Sequence, residues 1–140
     1  MRQEVRDLMN DIQTDMESLG CKPAELYLFI DDDKDWLKIL ERSAGPDVNI
    51  KTLTDTKYLN VILRENGKSR LIIDVRMPDI TGISLAEKMN LKDRADKLIF
   101  VSAAKISEHE MQRVESMGAQ FILKSPTLWQ DVKQACTTAT

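Results

Sequence analysis

The stretch LIIDVRMPDITGISL, residues 71–85, decides how this chain is read. Leu71, Ile72 and Ile73 suit a strand buried on both faces, and they run without a break into the carboxylate of Asp74. Arg76, Met77, Pro78 and Gly82 then belong to a loop, and ISLAEKMNL beyond them has helical spacing. A charge at the lip of an apolar strand is penalised by desolvation unless something compensates it. The rest of the sequence therefore has to supply a reason for Asp74.

Working outward, the same strand-then-helix unit recurs. ELYLFI, VNIKTL, RLIID, KLIFVSA and AQFILK read as five strands. DKDWLKILERSAG, DTKYLNVILREN, GISLAEKMNL and SEHEMQRVESMG read as the helices that follow four of them. Gly45, Gly67 and Gly118 are stop signals, and Ser107 with Glu110 forms a capping-box pattern. Ser125 and Pro126 fit the cap and first position of a final helix carrying Leu128, Val132 and Ala135. Near-continuous apolar strands alternating with helices predict an α/β fold, a doubly wound five-stranded parallel sheet.

An extra helix precedes this region. In MRQEVRDLMNDIQTDMESLG, residues Val5, Met9, Ile12, Met16 and Leu19 form a heptad-like seam ended by Gly20. The expected organisation is an amphipathic helix and linker over residues 1–22, followed by one domain over 23–140. Its seam has alternative readings: it folds back on the domain, it pairs with a second chain as a homodimer, or it once joined an upstream domain.

Composition narrows the class. The chain has 140 residues and 16.0 kDa, with 42% hydrophobic and 31% charged residues, as in ordinary globular domains. A formal charge of −3 and a pI near 5.2 argue against a nucleic-acid binder. No apolar run reaches the ~20 residues of a membrane span. Cys21 and Cys136 match no metal spacing, and two reduced thiols in a cytoplasm is the expectation.

In a parallel sheet all strands end at one rim, where ligands bind. ELYLFI ends in Asp31, Asp32 and Asp33; RLIID in Asp74; KLIFVSA in Ser102; AQFILK in Lys124. Clustered carboxylates repel, and a hard cation with oxygen ligands relieves them; few protein oxygens and several waters suit Mg²⁺. Lys124 and Ser102 then face the metal across a gap fit for an anion. Asp74 placed there is a nucleophile toward phosphorus, with ammonium and hydroxyl stabilising the equatorial oxygens.

The set Asp31-Asp32, Asp74 in DVRMP, Thr81-Gly82, Ser102-Ala103 and Lys124 resembles the response-regulator receiver family of two-component signalling, over about residues 24 to 138. The resemblance implies a flavodoxin-like sheet in the order 2-1-3-4-5, as in chemotaxis receivers. It implies that Asp74 is the phosphoacceptor, with Asp31 and Asp32 the acidic pair. Asp32, Asp74 and the backbone carbonyl of Arg76 would ligate Mg²⁺, with Asp31 beside them. Ser102 would be the switch hydroxyl, Lys124 its ion-pair partner, and Phe121 the switch aromatic. The implied donor is a histidine kinase or histidine phosphotransfer protein. The implied output is a downstream partner on the fourth helix, last strand and last helix, with no nucleic acid and no membrane. One departure stands out: the family has proline directly after the lysine, and here Ser125 intervenes before Pro126.

Other patterns fail on inspection. A calcium loop starting at Asp31 would need glycine where Trp36 stands and glutamate at Arg42. Asn66-Gly67-Lys68-Ser69 imitates a P-loop, but Ile62 occupies the earlier glycine position. His109, the only histidine, reads as an exposed side chain in a helix's first turn; Trp36, Trp129 and the methionines read as packing residues. Without the resemblance, Phe121 is a core aromatic. Two rival functions remain: a receiver-like fold used only for binding or dimerisation, and a metal-dependent phosphohydrolase. The hydrolase wants a second acid two residues after the nucleophile, and Arg76 is there instead.

Overall fold

A computed structural model describes residues 26–137. The expected N-terminal helix over residues 1–22, its seam and Cys21 lie outside the described residues. Five strands follow in chain order: β1 (Tyr27–Ile30), β2 (Ile50–Leu53), β3 (Ser69–Asp74), β4 (Ala95–Ser102) and β5 (Gln120–Leu123). The helices are α1 (Lys34–Ala44), α2 (Leu59–Asn66), α3 (Gly82–Met89), α4 (Glu108–Ser116) and α5 (Leu128–Thr137). The sheet is wholly parallel in the order β2-β1-β3-β4-β5, as expected.

Strand alternation explains why apolar runs are needed here. Leu28 and Ile30, Leu71 and Ile73, and Leu98 and Phe100 face one side, where Ile62 and Leu63 of α2, Ile83 of α3 and Val114 of α4 pack. Tyr27 and Phe29, Ile72, and Ile99 and Val101 face the other, against Leu37 and Leu40 of α1 and Trp129 and Val132 of α5. Each central strand thus feeds two cores, so Leu71–Ile73 of β3 and Leu98–Val101 of β4 are apolar at every position and the polar residues of these strands lie toward their ends.

Helix ends follow local chemistry. Asp33 caps α1, accepting from the N–H groups of Asp35 and Trp36, and Ser107 and Glu110 make the reciprocal capping box of α4. Thr81 caps α3, accepting the N–H of Ser84. Two expected boundaries are corrected. The α3 helix stops at Met89, because Asn90 adopts a left-handed conformation (φ 53°) and a short 3₁₀ turn, Leu91–Asp93, follows. The last helix starts at Leu128 and not directly after Ser125. Ser125 instead caps a preceding turn: its Oγ accepts the Thr127 N–H, and its carbonyl accepts the Leu128 N–H. The described residues contain no cis peptide.

Gly82 is required by close approach. A Cβ there would lie 2.3 Å from the Asp74 carbonyl oxygen and 2.7 Å from Ile73 Cγ2. The first is backbone at the end of a buried strand and cannot swing away. Gly82→Ala is therefore expected to cost about 1–3 kcal/mol, exceeding any helix-propensity gain at a first-turn position. Urea unfolding of the two proteins checks this, and an unchanged midpoint would count against the close approach.

Candidate functional site

The rim of the sheet collects its polar residues because each strand ends where its core ends. Asp31 follows Ile30 and is only 3% exposed; Asp74 closes β3 and is 4% exposed; Asp32 is exposed. One carboxylate oxygen from each of Asp31, Asp32 and Asp74 lies within 4.8 Å of the others. Lys124, the residue after β5, brings its Nζ to 2.6 Å from Asp31 Oδ2 and 3.7 Å from Asp74 Oδ1. Its backbone N–H donates to the Ser102 carbonyl at 2.9 Å, which ties the end of β5 to the end of β4. Lys124 reaches the acids with Ser125 in the position after it.

Backbone donors hold the acids in place. Asp31 Oδ1 accepts the Asp33 N–H at 3.0 Å, and Asp74 Oδ1 accepts the Arg76 N–H at 3.4 Å, a long contact. The loop after Asp74 is fixed by two bonds: Val75 N–H to the Val101 carbonyl at 2.8 Å, and Gly82 N–H to the Val75 carbonyl at 3.0 Å.

Ser102 is buried at the end of β4, and its Oγ accepts the Ala104 N–H at 3.3 Å. Asp74 pairs in register with Val101, so Ser102 stands one residue further out on the neighbouring strand, at the same rim. Phe121 lies deeper, paired with Phe100, half-buried against the core that includes Val114. The Arg76 guanidinium is engaged by Glu110 through two bonds, 2.8 and 2.9 Å, and its side chain is 54% exposed.

Among the described residues, three carboxylates meet one ammonium in the cluster, which leaves it net negative. The Asp74 carboxyl is pushed up to about 6, first by burial and then by Asp31. Lys124 and the Arg76 N–H oppose the rise, and Asp32 adds to it. A donor set of clustered carboxylate oxygens with unrelieved repulsion fits a hard divalent cation.

Two features were not singled out from the sequence as site residues. Trp36 presents its ring to the Lys124 ammonium, with Nζ 5.6 Å from the ring centroid. The Arg76–Glu110 fork joins the loop after Asp74 to α4. Nothing in residue spacing pairs Arg76 with Glu110, 34 residues away.

Residues 27–136 match the family model described as the response regulator receiver domain, and the chain belongs to that family. This is a signalling family that generally binds Mg²⁺ through acidic residues. The chain is 29% identical over 104 residues to stress response regulator protein 1 of Candida tropicalis, covering 71% of this chain and 39% of that protein. It is 32% identical over 113 residues to the two-component response regulator ARR11 of Arabidopsis thaliana, covering 78% of this chain and 22% of the other. The chain thus spans well under half the length of either relative. The chemotaxis response regulator CheY4 of Vibrio cholerae has the same fold, with a TM-score of 0.65 and 17% identity over 81% of this chain and 99% of the other. No helix among the described residues is long and apolar enough to cross a membrane.

The raised Asp74 carboxyl has a signed consequence for stability. An unfolded carboxyl titrates near 3.8 and the folded one near 6, so between those values the folded chain keeps a proton that the unfolded chain has lost. Raising the pH through that window therefore disfavours folding. In buffer with a chelator, Asp74→Asn is expected to match the parent near pH 4 and to exceed it by roughly 2–3 kcal/mol at pH 7. Urea unfolding across this range measures the difference, and a gap independent of pH would contradict the assignment.

Proposed function

We propose that the chain is a phosphoacceptor switch, taking a phosphoryl group on Asp74 in a Mg²⁺-dependent reaction and altering its partner interactions in response. The observation that carries this reading is the convergence of Asp31, Asp32 and Asp74 with Lys124 at one rim. Asp31, Asp32, Asp74 and the Arg76 carbonyl would hold the metal. Bound there, Mg²⁺ supplies positive charge that keeps the carboxylates ionised and offsets charge on phosphoryl oxygens.

The donor in this reading is a phosphohistidine on a histidine kinase or phosphotransfer protein, in the cytoplasm. An ionised Asp74 oxygen attacks phosphorus and forms a mixed anhydride, while the P–N bond breaks and the imidazole leaves with its electron pair. Lys124 and Ser102 offer an ammonium and a hydroxyl to the transferred oxygens. Ser102 and Phe121 are the switch pair, and residues 23–140 form the signalling domain behind the N-terminal segment.

The output face in this reading is α4, β5 and α5, where a groove of about 590 Å³ is lined by Met111, Val114, Phe121, Ile122 and Ala135, among others. Moving such a domain from about 1:99 to 99:1 takes ~5.5 kcal/mol of differential stabilisation. New contacts from a dianionic phosphoryl group to the metal, Lys124 and Ser102 are of the right kind to supply it.

A phosphohydrolase is less well supported. The residue two beyond Asp74 is Arg76, whose Glu110 partner has its carboxyl lowered by the Ser107 N–H and then by Arg76. Neither is an acid ready to protonate a leaving group.

Incubation with acetyl phosphate and Mg²⁺ is expected to add one base-labile phosphoryl group, detected by intact mass. Chelating the metal or making Asp74→Asn should abolish the gain. Equal gain by Asp74→Asn, or none by the parent, would overturn the proposal.

A further inference from the structure

We propose that Trp36 is a positioning residue for Lys124, its indole face holding the ammonium in the short span between Asp31 and Asp74. The inference rests on the reading that Lys124 serves phosphoryl transfer to Asp74. It begins with the problem a lysine poses. The backbone of Lys124 is fixed by its N–H bond to Ser102, but four flexible side-chain bonds separate that anchor from Nζ.

The contacts found for Nζ are with Asp31 at 2.6 Å, Asp74 at 3.7 Å and the Trp36 ring at 5.6 Å. The two carboxylates compete for it, and Asp31 holds it closer. When Asp74 becomes an acyl phosphate, the charge on that side moves outward from the carboxylate to the phosphoryl oxygens. An ammonium that simply followed the strongest local charge would stay on Asp31.

Trp36 acts differently from either acid. Its attraction comes from the ring quadrupole and persists as the charge on its neighbours changes. The ring also covers the lysine, whose side chain is only 15% exposed, and shielding from water strengthens the charge contacts that remain. The sequence places it firmly. Asp33 Oδ1 accepts both the Asp35 and Trp36 N–H groups at 3.1 Å, so the first turn of α1 is locked to the loop that carries Asp31. Trp36 also packs against the core containing Leu37 and Trp129, which limits its own motion. Cap, ring and ammonium thus form one connected support.

The test compares Trp36→Leu with Trp36→Phe, each in the parent and in a Lys124→Met background, on the full chain. Three quantities are read: phosphoryl uptake from acetyl phosphate at saturating Mg²⁺, Mg²⁺ affinity, and acylation of Lys124 by limiting acetic anhydride, located by peptide mass. Trp36→Leu is expected to slow uptake about threefold to tenfold and to speed acylation of Lys124 by a similar factor. Mg²⁺ affinity should stay within about twofold, since no metal ligand is touched. Trp36→Phe, which keeps a ring face, should recover most of the rate.

In the Lys124→Met background, Trp36→Leu should have no further effect. An equal slowing there would make Trp36 a packing residue only and overturn the proposal. So would unchanged acylation of Lys124 in Trp36→Leu. If Trp36→Leu does not fold, as judged by circular dichroism, Trp36→Met carries the same expectations. If the parent takes up no phosphoryl group, or Lys124→Met has no residual uptake, acylation alone decides the positioning. A parent without uptake removes the signalling reading and leaves the Trp36–Lys124 support standing or falling on its own result.

Discussion

The organisation of this molecule depends on how an excess of buried negative charge is held at the end of an apolar sheet. Asp31 and Asp74 are both almost fully buried, and a single ammonium, Lys124, reaches both. Burial first, and then the nearby charge of Asp31, hold the Asp74 carboxyl above its ordinary range, and Lys124 offsets this only in part. A site satisfied by its own residues would have no use for a cation or an anion. One that remains net negative after its lysine is placed selects a divalent metal and gains from it.

That tension is possible only because the sheet is rigid and wound on both faces. Residues Leu71 to Ile73 alternate between two cores, and Leu28 to Ile30 do the same beside them. The strands cannot slide without moving apolar side chains to the wrong face, so the carboxylates that follow them cannot relax apart. The packing energy of the core is in this sense what keeps like charges together. Gly82 belongs to the same constraint, since the helix after the Asp74 loop starts in contact with the Asp74 backbone.

Much of this was legible in the residues because it follows from local rules. Unbroken apolar runs ending in acids predicted parallel strands with a shared polar rim, and the capping box at Ser107 and Glu110 formed as its spacing indicated. The rest was hidden for identifiable reasons. Asn90 takes a left-handed conformation that asparagine adopts only in context, so the end of α3 was not marked as a glycine would have marked it. Ser125 spends its hydroxyl on a turn and not on the helix itself. The approach of Trp36 to Lys124 and the pairing of Arg76 with Glu110 depend on crossovers, and no spacing along the chain encodes them.

The Arg76–Glu110 pair bears on how a change at the rim could reach the rest of the domain. Of the helices described, α4 buries a single residue, Val114, whereas α2 buries three and α5 four. Ile106 and Met117, just before and after it, pack partly against the same core, and polar contacts add to these: Arg76 from the Asp74 loop grips Glu110 near its start, and Arg113 near its end bonds Glu87 and Ser84 of α3. Exposed ion pairs of this kind contribute little individually, usually under about 1 kcal/mol. A helix that buries one residue and leans in part on such contacts costs less to displace than one seated by a broad apolar face. The fastening nearest its N-terminus belongs to the loop that would rearrange around a phosphorylated Asp74. Phe121 packs against the core that Val114 joins. The low burial of α4 and its direct link to Arg76 therefore place the least buried of the described helices where a switch of the proposed kind needs one.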